Sequence, residues 1–186
     1  LVNDFLNVSR LESGSFSVNP EPTNLSEVME SVIDELKITI DKKGTIIEKH
    51  YDKNLPVMNV DPRLLRIIFQ NLVSNAVKYT PLDGKRAVVG VTIKKDGQNI
   101  SIEVKDNGYG IPRNQHIKVF TKLFRGDNIK KKEPDGTGLG LYLVKALIEQ
   151  VGGAVGFESE ENQGATFYVK LPVSGMKRKE GTTVLM

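Results

Sequence analysis

The chain has 186 residues, a formal net charge of +3 at pH 7, two histidines and no cysteine. A disulfide framework, a thiol nucleophile and a cysteine-based zinc site are therefore excluded, and a metal cage of several histidines is disfavoured. The sequence contains no apolar run near the roughly 20 residues of a membrane span, and its start lacks a signal-peptide pattern. The composition is that of an ordinary globular domain, and the lack of cysteine is compatible with the cytoplasmic location that we expect but does not establish it.

Apolar residues that recur at helical spacing predict four helices. No cap precedes the first helix, so we read it as the end of a helix that continues upstream in a longer protein. Asn24 and Glu27 form a capping box for the second helix, and Asp61-Pro62 supplies an N-cap and a first-turn proline for the third. The predicted helices are residues 1–14, Asn24 to Gly44, Asp61 to Lys78, and Gly138–Val151.

Short alternating segments predict the strands, and Asp96-Gly97 marks the turn of a hairpin. Helices mixed with antiparallel hairpins favour an α+β two-layer sandwich. Residues 113–135 have weak periodicity, which is typical of a mobile functional loop, and residues 173–186 read as a basic flexible tail. The predicted strands are Ser15–Pro20, Thr45–His50, Pro56–Val60, the hairpin of Ala87–Lys95 and Ile100–Lys105, and the hairpin of Ala154–Glu158 and Thr166–Leu171.

A polar stripe lies at the edge of the third predicted helix. Asn71, Asn75 and Lys78 share one helical face beside an apolar stripe, so they border the core and need hydrogen-bonding partners. Asparagine carbonyls suit Mg²⁺, which also takes water and phosphate oxygens, and Lys78 could neutralise phosphate charge. Ordered water could satisfy the same groups, so both interpretations stand at this point.

Two glycine-rich turns add candidate ligand contacts. Asp106 is followed by Gly108 and Gly110, a pattern that lets backbone approach a flat ligand while the carboxylate accepts a hydrogen bond from an amine. The same letters also form ordinary turns. The run Gly136–Gly140 opens a helix, whose N–H groups and dipole favour an anion, but a GxGxG pattern alone is weak evidence for phosphate.

The order and spacing of these segments are far more specific than any one of them. The sequence resembles the catalytic ATP-binding domain of two-component sensor histidine kinases. The matching motifs are the N box NLVSNAVKYT, the glycine boxes DNGYGIP and GTGLGLYLVKALIEQVGG, the phenylalanine box VFTKLFRGD, and the terminal strand GATFYVKLP. The resemblance covers residues 20–172, with residues 113–135 as the ATP lid. Residues 1–19 resemble the end of the dimerisation helix and its linker.

The resemblance implies a mixed five-stranded sheet packed on three helices, with ATP between the N-box helix and the lid. It assigns Asp106 to the adenine amino group, Tyr79 and Ile111 to the base, and Gly108 and Gly110 to the shape of the adenine pocket. It assigns Asn75 to Mg²⁺ with help from Asn71, and Lys78 and Arg125 to the phosphates. The residues implied to hinge the lid and to present N–H groups to phosphate are Gly136, Thr137, Gly138, Leu139 and Gly140. The departures from the family pattern are Thr121 after Phe120 and Ile67 before the N box.

The implied activity is transfer of the γ-phosphoryl group of Mg-ATP to a histidine on a dimerisation domain that the sequence lacks. His50 and His116 do not have the acidic neighbour of the family's acceptor, so we expect no self-labelling. The implied partners are that dimerisation domain, a response regulator and a second copy in the full-length kinase, which can be anchored in a membrane upstream. We expect no nucleic acid and leave open whether the fragment alone is a monomer.

Two other functions stay open. The wider superfamily includes ATPases that place a glutamate four residues before the metal-binding asparagine, where it activates water. Asn71 occupies that position here, and an amide cannot act as this general base, so hydrolysis is disfavoured. A nucleotide-responsive interaction module without kinase activity would keep the same binding motifs.

Overall fold

The computed structural model describes residues 2–80, 86–130, 132–133 and 136–181, which form helices packed on a sheet. The helices are α1 (Val2–Glu12), α2 (Leu25–Glu35), α3 (Lys37–Lys43), α4 (Pro62–Tyr79), a 3₁₀ helix (Arg113–Lys118), α5 (Asp127–Lys130) and α6 (Gly140–Gln150). The strands are β1 (Glu21–Thr23), β2 (Ile46–Tyr51), β3 (Met58–Val60), β4 (Val88–Asp96), β5 (Asn99–Asp106), β6 (Ala154–Glu160) and β7 (Gly164–Pro172).

Five strands form a mixed sheet in the order β2-β4-β5-β7-β6. Strands β2 and β4 are parallel, and every other neighbouring pair is antiparallel. Strands β1 and β3 form a separate antiparallel pair. The predicted α+β class and the five-stranded mixed sheet are therefore confirmed.

The core lies between the sheet and a helical layer of α2, α4 and α6. Alternate residues of β4, including Val89, Val91 and Ile93, are buried, which gives the sheet one apolar face. Helix α4 is the central helix, because it packs against α2 on one side, α6 on the other and β5 beneath it. This position brings the C-terminal half of α4 next to the end of β5, where the first glycine-rich turn begins.

Asp61 joins two segments beneath the start of α4. Its fully buried carboxylate accepts hydrogen bonds from the backbone N–H of Arg63 at 3.0 Å and from that of Asn19 at 2.8 Å, and it pairs with the Arg63 guanidinium. The predicted N-cap is thus confirmed. The same carboxylate fixes the segment that follows α1 to the helix that carries the polar stripe.

The predicted helix from Asn24 to Gly44 is two helices. Its cap is confirmed, because the Asn24 side chain accepts a hydrogen bond from the Ser26 backbone N–H, but the helix ends at Glu35. Leu36 has φ −85° and ψ −2°, and α3 starts after it. The apolar stripe continues through Leu36 and Ile40, so periodicity gave no sign of this break.

The last predicted helix starts two residues later than expected. Gly138 has a φ of +68°, a left-handed conformation that glycine favours, so α6 begins at Gly140. Residues 113–135 were predicted as irregular, and the structure places the 3₁₀ helix and α5 within them. Lid residues 131, 134 and 135, and the predicted loop Pro81 to Gly84, lie outside the described residues.

The predicted strand Ser15–Pro20 is wrong. Within that range only Val18 pairs, through an isolated antiparallel bridge to Lys179. The strand that does form is β1, slightly later in the chain, and it tolerates Pro22 because it belongs to a sheet of only two strands. The tail is corrected too, since the Met176 side chain is 5% exposed and its sulfur accepts the Asp61 backbone N–H at 3.4 Å. The segment around Met176 therefore packs on the domain, the exposed Lys179 pairs with Val18 through its backbone, and the tail beyond 181 lies outside the described residues.

Candidate functional site

A cavity of about 380 Å³ opens between α4, the two glycine-rich turns, the lid and the start of α6. Twelve of the fourteen sequence-predicted site residues line it; Gly108 and Leu139 do not. The predicted residues on the cavity wall are Asn71, Asn75, Lys78, Tyr79, Asp106, Gly110, Ile111, Arg125, Gly136, Thr137, Gly138 and Gly140. The fold thus brings together residues that are far apart in the sequence.

Asp106 is the buried carboxylate of this cavity, at the end of β5, and is 6% exposed. Its Oδ1 atom accepts the backbone N–H groups of Gly108 at 2.8 Å and Ala165 at 3.3 Å. Within the described part of the chain, Oδ2 accepts no hydrogen bond. Burial raises the pKa of Asp106 to about 6, against the lowering effect of the two N–H groups. The carboxylate is therefore ionised at neutral pH and has an oxygen left to accept a hydrogen bond from a ligand.

The first glycine-rich turn is clamped between α4 and the turn that joins β6 to β7. The Tyr109 backbone N–H donates to the Tyr79 carbonyl at 3.1 Å, and the Asn162 N–H donates to the Tyr109 carbonyl at 2.7 Å. Gly110 has a φ of +60°, and a Cβ there would overlap the Glu160 carbonyl oxygen. Gly108 supports the site from behind, because a Cβ on it would overlap the Tyr79 carbonyl oxygen.

The two asparagines of α4 differ in their contacts. Asn71 Nδ2 donates to the Ile67 carbonyl of its own helix at 2.7 Å, and Asn71 Oδ1 lies so close to Gly140 that a Cβ on Gly140 would overlap it. Asn71 therefore links α4 to the first residue of α6. Asn75 is half-buried on the cavity wall, and its amide makes no hydrogen bond with any described residue. Its carbonyl oxygen is therefore the better placed of the two for a metal ion.

Two cations converge at the other glycine-rich turn. The Cβ position of Gly136 lies 3.3 Å from Arg125 Nε and 3.4 Å from Lys78 Nζ, so both side chains reach the same point of the cavity. Thr137 Oγ1 accepts the Leu139 backbone N–H at 3.2 Å, which orders the turn before α6. Leu139 itself is buried in the core. The positive side chains and the helix N-terminus give this end of the cavity an anion-binding character.

Lys43, at the end of α3, joins the lid to α4, and the sequence analysis missed it. Its Nζ atom donates to the Lys78 carbonyl and pairs with Glu133 Oε1 at 3.1 Å. The Glu133 carbonyl in turn accepts a hydrogen bond from Arg125. The sequence alone does not indicate this role, because a lysine in the last turn of a helix is common for another reason: its charge interacts favourably with the helix dipole.

Further lid contacts close the cavity over the first glycine-rich turn. Asn128 Nδ2 donates to the Gly110 carbonyl at 3.0 Å, and Lys132 Nζ lies 4.1 Å from the centre of the Tyr109 ring. Apolar walls come from residues that the motifs did not single out. These are Ala76, Val119, Phe124, Ile129, Leu141, Ala165 and Phe167. The cavity therefore has an apolar interior, a buried acceptor and a cationic end.

A mixed sheet packed on a helical layer, with a cavity between α4, the lid and two glycine-rich turns, is the arrangement of an ATP-binding domain of the fold shared by several ATPases and kinases. The family model described as histidine kinase-, DNA gyrase B-, and HSP90-like ATPase matches residues 60–175. The chain belongs to that family. None of the described helices has both the length and the hydropathy needed to cross a bilayer.

The relatives that the chain matches include histidine kinases. It is similar to the circadian input-output histidine kinase CikA of Synechococcus elongatus, at 33% identity over 92% of this chain and 23% of CikA. It is 31% identical to the sensor histidine kinase WalK of Bacillus subtilis over 92% of this chain and 28% of WalK. Full-length ShkA in complex with AMPPNP matches with a TM-score of 0.80 at 28% identity, over 96% of this chain and 36% of ShkA. The chain thus spans about a quarter to a third of the length of these relatives.

Loss of the Lys43 ammonium is expected to loosen the lid. Lys43→Met removes its contacts to Glu133 and to the end of α4, so we expect roughly tenfold weaker ATP binding, equivalent to about 1.4 kcal/mol. Calorimetric titration gives the affinity, and hydrogen exchange gives the protection of α5. Lys42→Met, an exposed neighbour on the same helix, is the control. Equal affinity and equal lid protection in both variants would show that the Lys43 contacts do not hold the lid.

Proposed function

We propose that this domain binds Mg-ATP and donates the γ-phosphoryl group to a histidine of a dimerisation domain, as a histidine protein kinase in two-component signalling. The main support for the proposal is that the two ends of one cavity differ in charge. At one end, Asp106 offers a buried acceptor beside apolar walls, and at the other end Lys78 and Arg125 converge beside Gly136. This arrangement suits a ligand with an aminated flat ring at one end and a polyanion at the other.

The proposed adenine subsite uses Asp106 Oδ2 as the acceptor for the exocyclic amine. Tyr79 and Ile111 line the same cavity and supply apolar surface for the base. Gly108 and Gly110 let the turn pack closely on backbone that would clash with a side chain, which holds the turn beside the proposed position of the base. A base without an amine at the matching position would leave the carboxylate desolvated and unpaired, which disfavours it.

The residues at the phosphate end fit a magnesium ion that is shared with the nucleotide. No cluster of three or more His, Asp or Glu side chains that could hold a metal occurs among the described residues, so a bound ion would depend on phosphate oxygens and water. The Asn75 carbonyl is the proposed protein ligand, with Asn71 Oδ1 beside it at the start of α6. Mg²⁺ prefers such oxygen donors, and when bound it neutralises charge on the phosphates.

Transfer of a phosphoryl group needs mainly positioning and stabilisation of charge on the transferred oxygens. We assign that work to Lys78, Arg125 and the N–H groups of residues 136–140. Neither His50 nor His116 lines the cavity; His116 Nε2 instead lies 3.0 Å from the Ile111 carbonyl oxygen. The acceptor histidine is therefore proposed to come from a dimerisation domain, which makes a homodimer and a response regulator the partners of the whole kinase. Because ATP is its donor, we propose that the domain acts in the cytoplasm.

Phosphate transfer from labelled ATP tests this proposal. The domain is incubated with γ-labelled ATP and Mg²⁺, with a histidine-containing dimerisation domain joined upstream of Val2, and acid-labile label on that domain is the expected result. Asn75→Ala in the same fusion is the control and should remove the label. ATP binding without any transfer would favour the interaction module, and release of free phosphate at the rate of ATP loss would favour an ATPase.

A further inference from the structure

Helix α1 is docked on the catalytic domain along α6 and the lid. The Val8 side chain is 2% exposed, and the Glu12 carboxylate accepts hydrogen bonds from Lys122 Nζ at 2.8 and 3.0 Å and from the Tyr142 hydroxyl at 3.2 Å. Lys122 belongs to the lid segment, and Tyr142 belongs to the first turn of α6. The helix is therefore held by the buried Val8, by the partly buried Leu11 that packs on the core, and by the Glu12 carboxylate near its C-terminal end.

The same face of α1 reaches the cavity. Asp4, Val8 and Glu12 follow each other at intervals of four residues, so they lie on one side of the helix. Asp4 lines the cavity together with Lys78, Arg125, Gly136 and Thr137, and its Oδ2 atom lies 3.5 Å from Thr137 Oγ1. Of the acidic residues on the described cavity wall, Asp106 sits at the proposed adenine end and Asp4 at the cationic end.

The Asp4 carboxylate lies at the cationic end of the cavity, where the phosphates of the nucleotide are proposed to bind. The same features that attract phosphate there also favour the Asp4 carboxylate, because it lines the same cavity as Lys78 and Arg125 and contacts Thr137, just before the start of the eleven-residue α6. Two negative groups in one partly enclosed space repel each other unless a cation lies between them. The repulsion grows with the charge that the nucleotide brings to this end.

We propose that Asp4 is a specificity-determining residue that lowers the preference of the site for a nucleoside triphosphate over a diphosphate. This inference rests on the proposed function, since it assigns the cationic end to the phosphates. When α1 is docked, the Asp4 carboxylate competes with the terminal phosphate for Lys78, Arg125 and the N–H groups before α6. By linkage, a bound triphosphate weakens the docking of α1 by the same factor that docked α1 weakens the triphosphate.

Replacement of Asp4 by asparagine tests the inference. Affinities for ATP, ADP and adenosine are measured by calorimetry on the whole chain with Mg²⁺ at fixed salt. In Asp4→Asn we expect about tenfold tighter ATP binding, a smaller gain for ADP and an unchanged affinity for adenosine. Asp41→Asn, which removes the same charge from an exposed position on α3, is the control for net charge and should leave all three affinities unchanged.

A second readout reports on α1 directly. Hydrogen exchange of α1 amides should become faster when ATP is added to the wild-type chain, and this acceleration should be absent in Asp4→Asn. Weaker ATP binding in Asp4→Asn would overturn the inference and make Asp4 a ligand of the cation. ATP binding to the wild type with equal affinity in the variant would refute the inference and leave the proposed function standing. A wild type that binds neither ATP nor ADP would overturn both.

Discussion

Asp106→Asn should weaken ATP binding by one to two orders of magnitude without unfolding the domain. The asparagine Oδ1 can still accept the N–H groups of Gly108 and Ala165, so the turn keeps its support. Its Nδ2 then faces the cavity as a donor, opposite an adenine amine that is also a donor. Loss of a hydrogen bond to a charged group costs about 1.5–3 kcal/mol, which gives that range of affinity. Calorimetric titration with ATP measures it.

The same variant should gain thermal stability at neutral pH. In the folded chain the Asp106 pKa is raised to about 6, whereas an unfolded aspartate has a pKa of about 3.9. The folded state therefore binds the proton more tightly, and the wild type loses stability as pH rises from about 4 through 6. The difference in favour of the variant should reach up to about 3 kcal/mol above pH 7 and shrink toward pH 4.

Thermal unfolding of both proteins between pH 4 and pH 8 checks that sign. An advantage of the variant that grows toward acid pH would mean that burial does not dominate the environment of Asp106. A variant with full ATP affinity would remove Asp106 from the adenine subsite, whatever its stability. Reduced affinity together with raised stability is the outcome that separates a binding carboxylate from a structural one.

Asn75→Ala should abolish the contribution of magnesium to nucleotide binding. The Asn75 amide is half-buried on the cavity wall and forms no hydrogen bond with described residues, so its loss costs the fold little. If its carbonyl is the protein ligand of the ion, the variant should bind ATP in the presence of Mg²⁺ at least tenfold more weakly than the wild type. Titrations with Mg²⁺ and with a chelator, compared between the proteins, measure the effect.

Asn54→Ala provides the matched control for Asn75→Ala, since it removes the same amide from an exposed position away from the cavity. Its affinity for Mg-ATP should equal that of the wild type. If Asn75→Ala keeps the full gain in affinity from Mg²⁺, the ion is held without Asn75. Asn71→Ala is then the informative variant, because Asn71 Oδ1 faces the first residue of α6.

The sequence predicted most of the elements that position the site, because their signals are local. The Asp61-Pro62 start of α4, the Asp96-Gly97 hairpin turn and the N-cap at Asn24 are confirmed, although Glu27 accepts a hydrogen bond from the Asn24 side chain and not from its backbone N–H as a capping box requires. The break at Leu36 was missed because the apolar stripe continues across it, and the start of α6 shifted because Gly138 adopts a positive φ. Apolar periodicity predicts which face of a helix is buried, but it does not predict where one helix ends and the next begins.

The parts of the site that the sequence analysis missed depend on contacts between distant segments. Lys43 meets the Lys78 carbonyl and Glu133, and Asp4 meets Thr137, across long separations in the chain. In the sequence, a single lysine or aspartate on a helix has the same pattern whether its side chain faces water or a cavity. The spacing of Asp106, Gly108 and Gly110 did predict their common location, because these residues are close in the sequence and match a motif of the family.

Titration of the chain with Mg-ATP tests the central claim most directly, when the wild type and Asp106→Asn are compared in one calorimetric series. We expect one nucleotide per chain in the wild type, a tenfold to hundredfold loss of affinity in the variant, and competition by ADP at the same site. Absence of saturable binding to the folded wild type, or binding that Asp106→Asn leaves unchanged, would contradict the assignment of the cavity between α4 and the lid as the ATP site.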